Sequence, residues 1–325
     1  MGHMSRRGVL ALGLGLLASR AHAQAAPAAD FPTRPIRMVV STSAGGGIDV
    51  LARAYAEKLQ AILGQPVVVE AKPGANGMIA AQTVTGSPAD GHTLLFTNSG
   101  LMQNTHLKPV VGARVTDLAP VTLLALAPPT LGIQTSIPAK GIDEFVALVK
   151  SNPGKYSFGS TGTGSAAHLL GEMLNKARGL DLAHVPYKGE SAAMVDFLGN
   201  QLSAVFSAPG SMMRQAQGRM RLLAVASPQR LKAFPDLPTF SEVGLPEMNL
   251  PGFAAVFAPA NTPAPIVDRL SDALLKIARM PDIEERMLTT GFELGALGAK
   301  EFGVRLKTEN DSWRQVIERT AVRLD

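Results

Sequence analysis

The hydrophobic pattern of the chain alternates between two spacings from residue 31 onward. Short runs of β-branched and other apolar residues predict strands, whereas longer segments with apolar residues three and four apart predict helices. In the first hundred residues the pattern predicts strands at 36–41, 67–70 and 93–97, with helices at 48–63 and 76–85. This alternating order favours parallel strands with helices packed on the faces of the sheet.

A second alternating set follows a pair of strands at 121–127 and 131–134, which are separated by Pro128-Pro129. Two prolines cannot continue a central strand, so they indicate that the chain crosses from one domain to another. Beyond the crossing, the pattern predicts strands at 156–159, 183–185, 202–206 and 222–226, and helices at 166–177, 191–198 and 210–217.

The last third of the chain changes in texture. Residues 228–252 are rich in proline and acidic turns, 253–258 are apolar, and helices are predicted at 264–279, 283–289 and 300–320. This segment is long enough to return to the first unit, which would leave the middle domain inserted within a split outer one. The prediction is an α/β protein with two crossing strands as a hinge, a geometry suited to clamshell closure.

The N-terminus has the features of an export signal. Arg6-Arg7 precede the apolar run 9–18, and Ala21-His22-Ala23 forms a small-x-small cleavage site, so residues 1–23 are predicted to be a signal peptide. Residues 1–3 resemble a cloning remnant ahead of Met4, although an upstream start stays open. Because the double arginine also approximates a twin-arginine signal, both the general and the twin-arginine routes remain possible, and either predicts a periplasmic protein.

Composition excludes several classes of function. The chain contains no cysteine, which excludes disulfides, thiolate nucleophiles, thiolate metal sites and a lipid-anchored cysteine. The formal net charge is +5, but the predicted signal peptide carries three arginines and no acid, so the mature charge falls to about +2. Since no basic cluster or aromatic platform is present, no nucleic-acid partner is predicted.

Three glycine-rich turns lie between a predicted strand and a predicted helix, at 41–47, 72–77 and 159–165. The first-turn N–H groups of a helix lack partners, the helix dipole favours negative charge there, and glycine lets a ligand approach those amides. A phosphate loop would normally add a lysine, which the first turn lacks. The three turns therefore predict an anion site built mainly from neutral donors, although each turn by itself could serve only to pack a helix on its sheet.

Two motifs favour other chemistry but lack their partners. Gly162 to Ala167 fits the dinucleotide fingerprint, but Asp181 precedes the next strand instead of ending it. His168 and Glu172 have metal-ligand spacing without a third ligand in view. No nucleophile and base are paired by any recognisable motif. We therefore predict no catalytic residue, no metal and no cofactor.

Three further residues at these turns could contact a ligand. Tyr187 could line a cleft wall, and Lys188 could attract anions, although both also fit an ordinary turn. Asp49 most often would only complement the helix dipole, and it is a weaker candidate for a ligand hydroxyl or amine.

Taken together, the motifs resemble the Bug-type, TctC-like periplasmic solute receptors, the substrate-binding proteins of tripartite tricarboxylate transporters. The segments that carry the resemblance span most of the mature chain: 31-FPTRPIRMVVSTSAGGGIDVLAR-53, 73-PGANGMIAA-81, 89-ADGHTLLFTNSG-100, 159-GSTGTGSAAHLLGEML-174, 185-VPYKGESAAMVDFLGNQLSAVF-206, 235-PDLPTFSEVGLPE-247 and 257-FAPANTPAPIVDRL-270.

The resemblance implies the type II periplasmic-binding (Venus-flytrap) fold. Each domain would be a mostly parallel sheet flanked by helices, with domain 1 at 31–125 and 227–325 and domain 2 at 126–226. It also implies a small carboxylate held through backbone amides and ordered waters, and no catalysis. The predicted ligand-binding residues are Ser43, Ala44, Gly45, Gly46, Gly47, Asp49, Gly74, Ala75, Asn76, Gly77, Asn98, Ser99, Thr161, Gly162, Thr163, Gly164, Ser165, His168, Tyr187 and Ser207.

Three residues depart from the family pattern. Ala44 replaces a usual proline, Ile48 replaces a frequent threonine, and Ser207 stands where members often carry an aspartate. These changes leave open the identity of the ligand and especially whether it bears an amine.

The prediction is an exported, monomeric receptor that delivers a small carboxylate, with a dicarboxylate favoured, to the membrane components of a tripartite tricarboxylate transporter. Citrate, C4 dicarboxylates, acidic amino acids, aromatic acids and nicotinate-like compounds are all compatible with the loops. A receptor of the same fold that signals to a membrane sensor kinase, or an exported enzyme acting on carboxylates, would be the alternatives.

Overall fold

A computed structural model describes residues 30–107, 113–320 and 322 of the chain. The predicted signal peptide and the residues 1–3 ahead of Met4 lie outside this range. Within it, every helix is too short or too polar to cross a lipid bilayer.

Eleven strands are assigned along the described chain. They are β1 Ile36–Val40, β2 Val67–Ala71, β3 Thr93–Asn98, β4 Leu118–Ala127, β5 Thr130–Gln134, β6 Ser157–Ser160, β7 Ala183–Pro186, β8 Ala204–Ser207, β9 Met220–Val225, β10 Gly252–Pro259 and β11 Glu293–Leu297.

Ten α-helices flank these strands. They are α1 Gly47–Leu63, α2 Met78–Thr85, α3 Gly100–Leu107, α4 Ile142–Ser151, α5 Ala166–Arg178, α6 Glu190–Leu198, α7 Pro209–Ala216, α8 Ala264–Ala278, α9 Pro281–Thr290 and α10 Ala299–Thr320.

The strands form two sheets, which confirms the predicted two-sheet α/β architecture. The first has six strands in the order β11-β4-β10-β3-β1-β2, and the second has five in the order β7-β6-β8-β5-β9. Alternate residues of β1 point to opposite faces: Ile36, Met38 and Val40 pack into one buried cluster and Val39 into another. Both faces of β1 are buried, and its residues other than the partly exposed Arg37 are apolar, as expected for a strand covered by helices on both sides.

The strand directions correct one detail, because both sheets are mixed and not mostly parallel. Parallel pairing is confined to β2-β1-β3 in the first sheet and β7-β6-β8 in the second. The long strand β10, which follows the 228–252 segment, returns antiparallel between β3 and β4. The β5 strand likewise pairs antiparallel with β8 and β9.

The chain passes between the sheets at two neighbouring points. Pro128-Pro129 links β4 of the first sheet to β5 of the second, and Gly252 at the start of β10 pairs with Ala127 at the end of β4. The segment after β9 stays beside the second sheet, because Thr239 bridges to Val225. The division of the chain into domains at residues 126 and 226 stays a prediction.

Helix α10 contacts both halves of the molecule. The Phe302 ring lies 5.2 Å from that of Phe257 in the first sheet, and near the other end of the helix the Arg319 carbonyl accepts a 2.5 Å hydrogen bond from Lys176 of α5. The last helix therefore adds a third connection alongside the two crossing points.

Four elements were not predicted from the pattern: α3, α4, β10, whose residues 253–258 were described only as apolar, and β11. Helix α3 begins at Gly100 directly after β3 and is only eight residues long, so its apolar spacing is hardly visible. Strand β11 is a sheet edge with partly exposed residues, for which burial leaves little alternation in the sequence.

Candidate functional site

The glycine-rich turns of both sheets line one cavity. This outer chamber has a volume of about 630 Å³ and opens between the turns after β1, β2 and β3 on one side and those after β6 and β7 on the other. Its lining residues are Ser41, Thr42, Ser43, Pro73, Gly74, Ala75, Asn76, Gly77, Asn98, Thr161, Gly162, Thr163, Ser165, Tyr187, Lys188 and Gly189. Turns at the carboxyl ends of parallel strands are where α/β sheets bind ligands.

A second, smaller compartment adjoins the outer chamber towards the crossing points. This inner compartment has a volume of about 140 Å³ and shares Asn76, Asn98, Thr161 and Ser165 with the outer chamber. Its other lining residues are Ile48, Ser99, Gly100, Gln103, Ala127, Pro129, Ala166, Ala167, Phe206, Ser207, Ala208, Gly252, Phe253 and Phe292. The outer chamber is lined mainly by glycines and by hydroxyl and amide side chains, whereas the inner compartment adds phenylalanines and alanines.

The first turn is fixed from behind by Asp49. Its carboxylate, only 1% exposed, accepts the Gly45 N–H at 2.9 Å and two hydrogen bonds from Arg53 at 2.9 and 3.1 Å. Gly45 has a φ of +81°, in the left-handed region that favours glycine. Asp49 therefore holds the shape of the turn with both carboxylate oxygens already engaged.

The second turn carries a side chain that reaches across the cleft. Asn76 adopts a φ of +49° in a 3-10 turn, Ala75–Gly77. Its side-chain amide donates to the carbonyls of Gly100 at 3.3 Å and Gly164 at 3.4 Å, the latter belonging to the third turn. Asn76 thus links the two walls of the cleft directly.

The third turn is fixed by an imidazole. Ser165 caps α5 by accepting the His168 N–H, and the His168 Nδ1 accepts the Gly164 N–H at 3.0 Å. That acceptor role requires a neutral ring with its proton on Nε2. The ring stacks on His184 with centroids 3.8 Å apart, and His184 Nε2 lies 2.7 Å from the Ser160 hydroxyl.

Burial explains the protonation of this histidine pair. It lowers the pKa of His168 from 6.5 to about 4, because a charged ring would lose its solvation. Burial and the neighbouring His168 together lower the pKa of His184 to about 4. Burial also raises the pKa of Glu172, whose carboxylate lies 3.9 Å from His168 Nε2. The pair is neutral at ordinary pH and cannot serve as a cation for a ligand.

Tyr187 and Lys188 form one side of the outer chamber. The Tyr187 hydroxyl donates to Asp196 at 2.6 Å, and burial together with that carboxylate raises its pKa to about 12. The hydroxyl is therefore engaged, and the side chain also packs against the buried cluster that contains Leu202 and Val205. Lys188 is exposed and is the one charged side chain among the residues that line the two compartments.

The structure brings most of the predicted site residues to the cleft and leaves some behind it. Those lining one or both compartments are Ser43, Gly74, Ala75, Asn76, Gly77, Asn98, Ser99, Thr161, Gly162, Thr163, Ser165, Tyr187 and Ser207. Those outside the lining are Ala44, Gly45, Gly46, Gly47, Asp49, Gly164 and His168, which lie in or directly behind the first and third turns. Contact of any of these residues with a ligand stays a prediction.

Several lining residues were not predicted. Ser41 and Thr42 precede the glycines, and the buried Thr42 hydroxyl makes no hydrogen bond in the described part of the chain. Gln103 lies on the unpredicted helix α3, and the phenylalanines of the inner compartment come from β8, from β10 and from the turn before β11. The Ser and Thr content of the first turn could have indicated the first two, whereas only the fold brings the others together.

Comparison with known proteins shows what the chain is similar to. A model of the tripartite tricarboxylate transporter family receptor matches residues 51–322. The solved structure of the periplasmic binding protein BugD is 32% identical, with a TM-score of 0.82, and the match covers 90% of this chain and 99% of that one.

Two similar structures contain a ligand. One, from R. palustris, was solved with adipate and is 27% identical, with a TM-score of 0.84 and coverage of 90% of this chain and 99% of that one. The other, MatC from Rhodopseudomonas palustris with bound malate, is 28% identical, with a TM-score of 0.79 and coverage of 88% and 100%.

Proposed function

Because the chain belongs to the tripartite tricarboxylate transporter receptor family, we propose that it is a periplasmic receptor that captures a small dicarboxylate between its two sheets. It then delivers the ligand to the membrane components of such a transporter. The family is one of solute-binding receptors, and its structural neighbours are periplasmic. The malate and adipate bound by two of these neighbours support the ligand class.

One observation carries the proposal: turns from both sheets line a single chamber whose polar groups are backbone amides, hydroxyls and side-chain amides, with Lys188 as the one charge. Such a lining suits an organic carboxylate better than a phosphate, for which more local cations would be expected. Because the donors come from both walls, a ligand that contacts both of them stabilises the closed state relative to the open state.

The expected affinity is compatible with these groups. A dissociation constant of 1 μM corresponds to about −8 kcal/mol. Each neutral hydrogen bond contributes about 0.5–1.5 kcal/mol net, and hydrogen bonds to a charged group contribute about 1.5–3 kcal/mol. Four to six donors to a charged carboxylate contribute about 6–18 kcal/mol, before the cost of ordering the ligand, and this range includes the required value.

Isothermal titration calorimetry with succinate, malate and adipate tests the proposal, with succinamide as an uncharged control. At least one diacid should bind with a micromolar or lower dissociation constant and raise the melting temperature, whereas the diamide should not. Thr161 lines both compartments. The Thr161→Val variant should bind that diacid about tenfold more weakly than the wild type. The exposed Thr135 provides a matched control.

The proposal is contradicted if the wild-type protein binds none of a wide panel of carboxylates, or if Thr161→Val and Thr135→Val bind equally well. Recovery of the ligand unchanged after long incubation would support a receptor over an enzyme. Capture of transporter subunits from membranes by the ligand-loaded protein would identify the partner, and capture of a sensor kinase in their place would overturn the transport role.

A further inference from the structure

A fully buried side-chain amide borders the inner compartment. Gln103 is 0% exposed, and its Oε1 accepts a hydrogen bond from Asn76 Nδ2 at 3.4 Å. Its Nε2 makes no hydrogen bond within the described part of the chain. A buried donor without an acceptor costs about as much as a lost hydrogen bond, so a position that retains one needs an explanation.

Helix N-termini converge on the same compartment from both sheets. Ile48 lies in the first turn of α1, and Ala166 and Ala167 lie in the first turn of α5. The Gly100 N–H at the start of α3 already donates to Asn98 Oδ1 at 2.9 Å. First-turn N–H groups have no acceptor within their helix, and the helix dipole makes this end positive. The compartment therefore favours an anion although no lysine or arginine lines it.

The walls beside these donors are apolar. Phe206, Phe253 and Phe292 line the compartment, together with alanines and Pro129. Its volume of about 140 Å³ is close to that of an engineered apolar cavity of about 150 Å³ that binds benzene. A hydrocarbon segment therefore fits between the outer chamber and the donors of the inner compartment.

We infer that the inner compartment is the subsite for the far carboxylate of an elongated dicarboxylate with an apolar body, and that Gln103 Nε2 donates to that carboxylate. The near carboxylate then lies among the turns of the outer chamber. This inference rests on the proposed function, and it assigns the orientation of the ligand and a residue that selects for its second acid group.

The test compares adipate with hexanoate, which has the same six-carbon chain and lacks the second carboxylate. Calorimetry is performed on the wild-type protein, on Gln103→Leu and on Gln82→Leu, whose glutamine is exposed on α2. Gln103→Leu should weaken adipate binding about tenfold and change hexanoate binding less than twofold. The Gln82→Leu control should bind both acids as the wild type does. Circular dichroism and melting temperature verify that each variant folds.

A second measurement needs no variant. In the nitrogen-15 spectrum of the wild-type protein, the side-chain amide resonances of Gln103 should shift with adipate and stay in place with hexanoate. Three results would each overturn the inference and leave the receptor function intact. Gln103→Leu could lose affinity for adipate and hexanoate equally, or keep its affinity for adipate, or the Gln103 resonances could stay in place on saturation with adipate. Failure of the wild type to bind any carboxylate would overturn the proposed function, and the inference with it.

Discussion

The first and third turns of the cleft have similar glycine-rich sequences and are held in shape by opposite chemistry. In the first turn, the Asp49 carboxylate accepts the Gly45 N–H and forms an ion pair with Arg53. In the third, a neutral His168 anchors the Gly164 N–H and stacks on His184. The two glycines have nearly the same φ, +81° and +80°.

The wall that contains the first turn therefore depends on a charged side chain, whereas the wall that contains the third turn depends on an uncharged imidazole. An imidazole acceptor is lost as soon as Nδ1 is protonated. The binding geometry of the wall that contains the third turn should therefore be sensitive to acid.

The largest expected effect comes from removing the charged anchor. Asp49→Ala should lower the free energy of unfolding by about 2–3 kcal/mol, because the Gly45 N–H and Arg53 lose a buried charged acceptor. Asp143→Ala is the matched control, since Asp143 is also in the first turn of a helix but its side chain is 85% exposed. Its effect should stay within about 0.5 kcal/mol. Urea denaturation of both variants measures the difference, and equal losses would contradict the anchoring role.

The neutral anchor should produce a pH dependence of stability. The folded-state pKa of His168 is about 4, below its usual 6.5, so the unfolded chain binds more protons between these values. Its contribution to stability is therefore fully present above about pH 6.5 and is lost as the pH falls towards 4.

His168→Gln isolates this contribution, because glutamine can accept the Gly164 N–H and does not titrate. Between pH 8 and pH 5 the wild type should lose about 1–2 kcal/mol more stability than the variant. Urea denaturation of both proteins at the two pH values measures this difference. Glu172, whose pKa is raised by burial, contributes with the opposite sign, but it is present in both proteins and its contribution cancels in the comparison. Parallel profiles would show that the imidazole is not a neutral acceptor.

Alanine in place of each glycine sharpens the comparison further. Gly45→Ala and Gly164→Ala should each lower the free energy of unfolding by about 1 kcal/mol, because both positions have a positive φ. Only Gly164 accepts a hydrogen bond from Asn76 across the cleft, so only Gly164→Ala should also weaken the binding of the tightest dicarboxylate, by about threefold. Paired melting and calorimetry experiments check both numbers. A larger loss of affinity in Gly45→Ala would reverse the assignment.

The smallest expected effect comes from Lys188, the exposed cation that lines the outer chamber. Lys188→Gln should weaken carboxylate binding about twofold to fivefold and flatten its dependence on salt, because an exposed charge is largely screened by water and ions. Lys300, also exposed, supplies the control substitution. Titrations at 20 and 300 mM NaCl measure the effect. A loss of more than fiftyfold would mean that the cleft grips its ligand through this cation and not through neutral donors.

The sequence predicted the two-sheet fold and the turns because both depend on local signals. Apolar runs and glycine-rich turns recur at strand ends, and the fold places most of the predicted turns around one chamber. Asp49 and Arg53 are four residues apart in a helix, so their pairing was visible in principle.

The rest depends on long-range assembly. The His168–His184 stack joins a helix to a strand, and Gln103 and Phe253 line the same compartment only because β10 returns between β3 and β4. No local pattern records such contacts. The mixed strand directions were missed for the same reason, because the direction of β10 is set by where the chain re-enters the first sheet.

The most direct test of the account is a nitrogen-15 NMR titration of the wild-type protein. The ligand is whichever straight-chain dicarboxylate, from succinate to suberate, the protein binds most tightly. The account predicts that the backbone amides of Thr42, Gly74 and Thr161, which lie on opposite walls, shift together with one dissociation constant. Shifts confined to one wall, or to the separate groove beside residues 229–233, would contradict capture of the ligand between the two sheets.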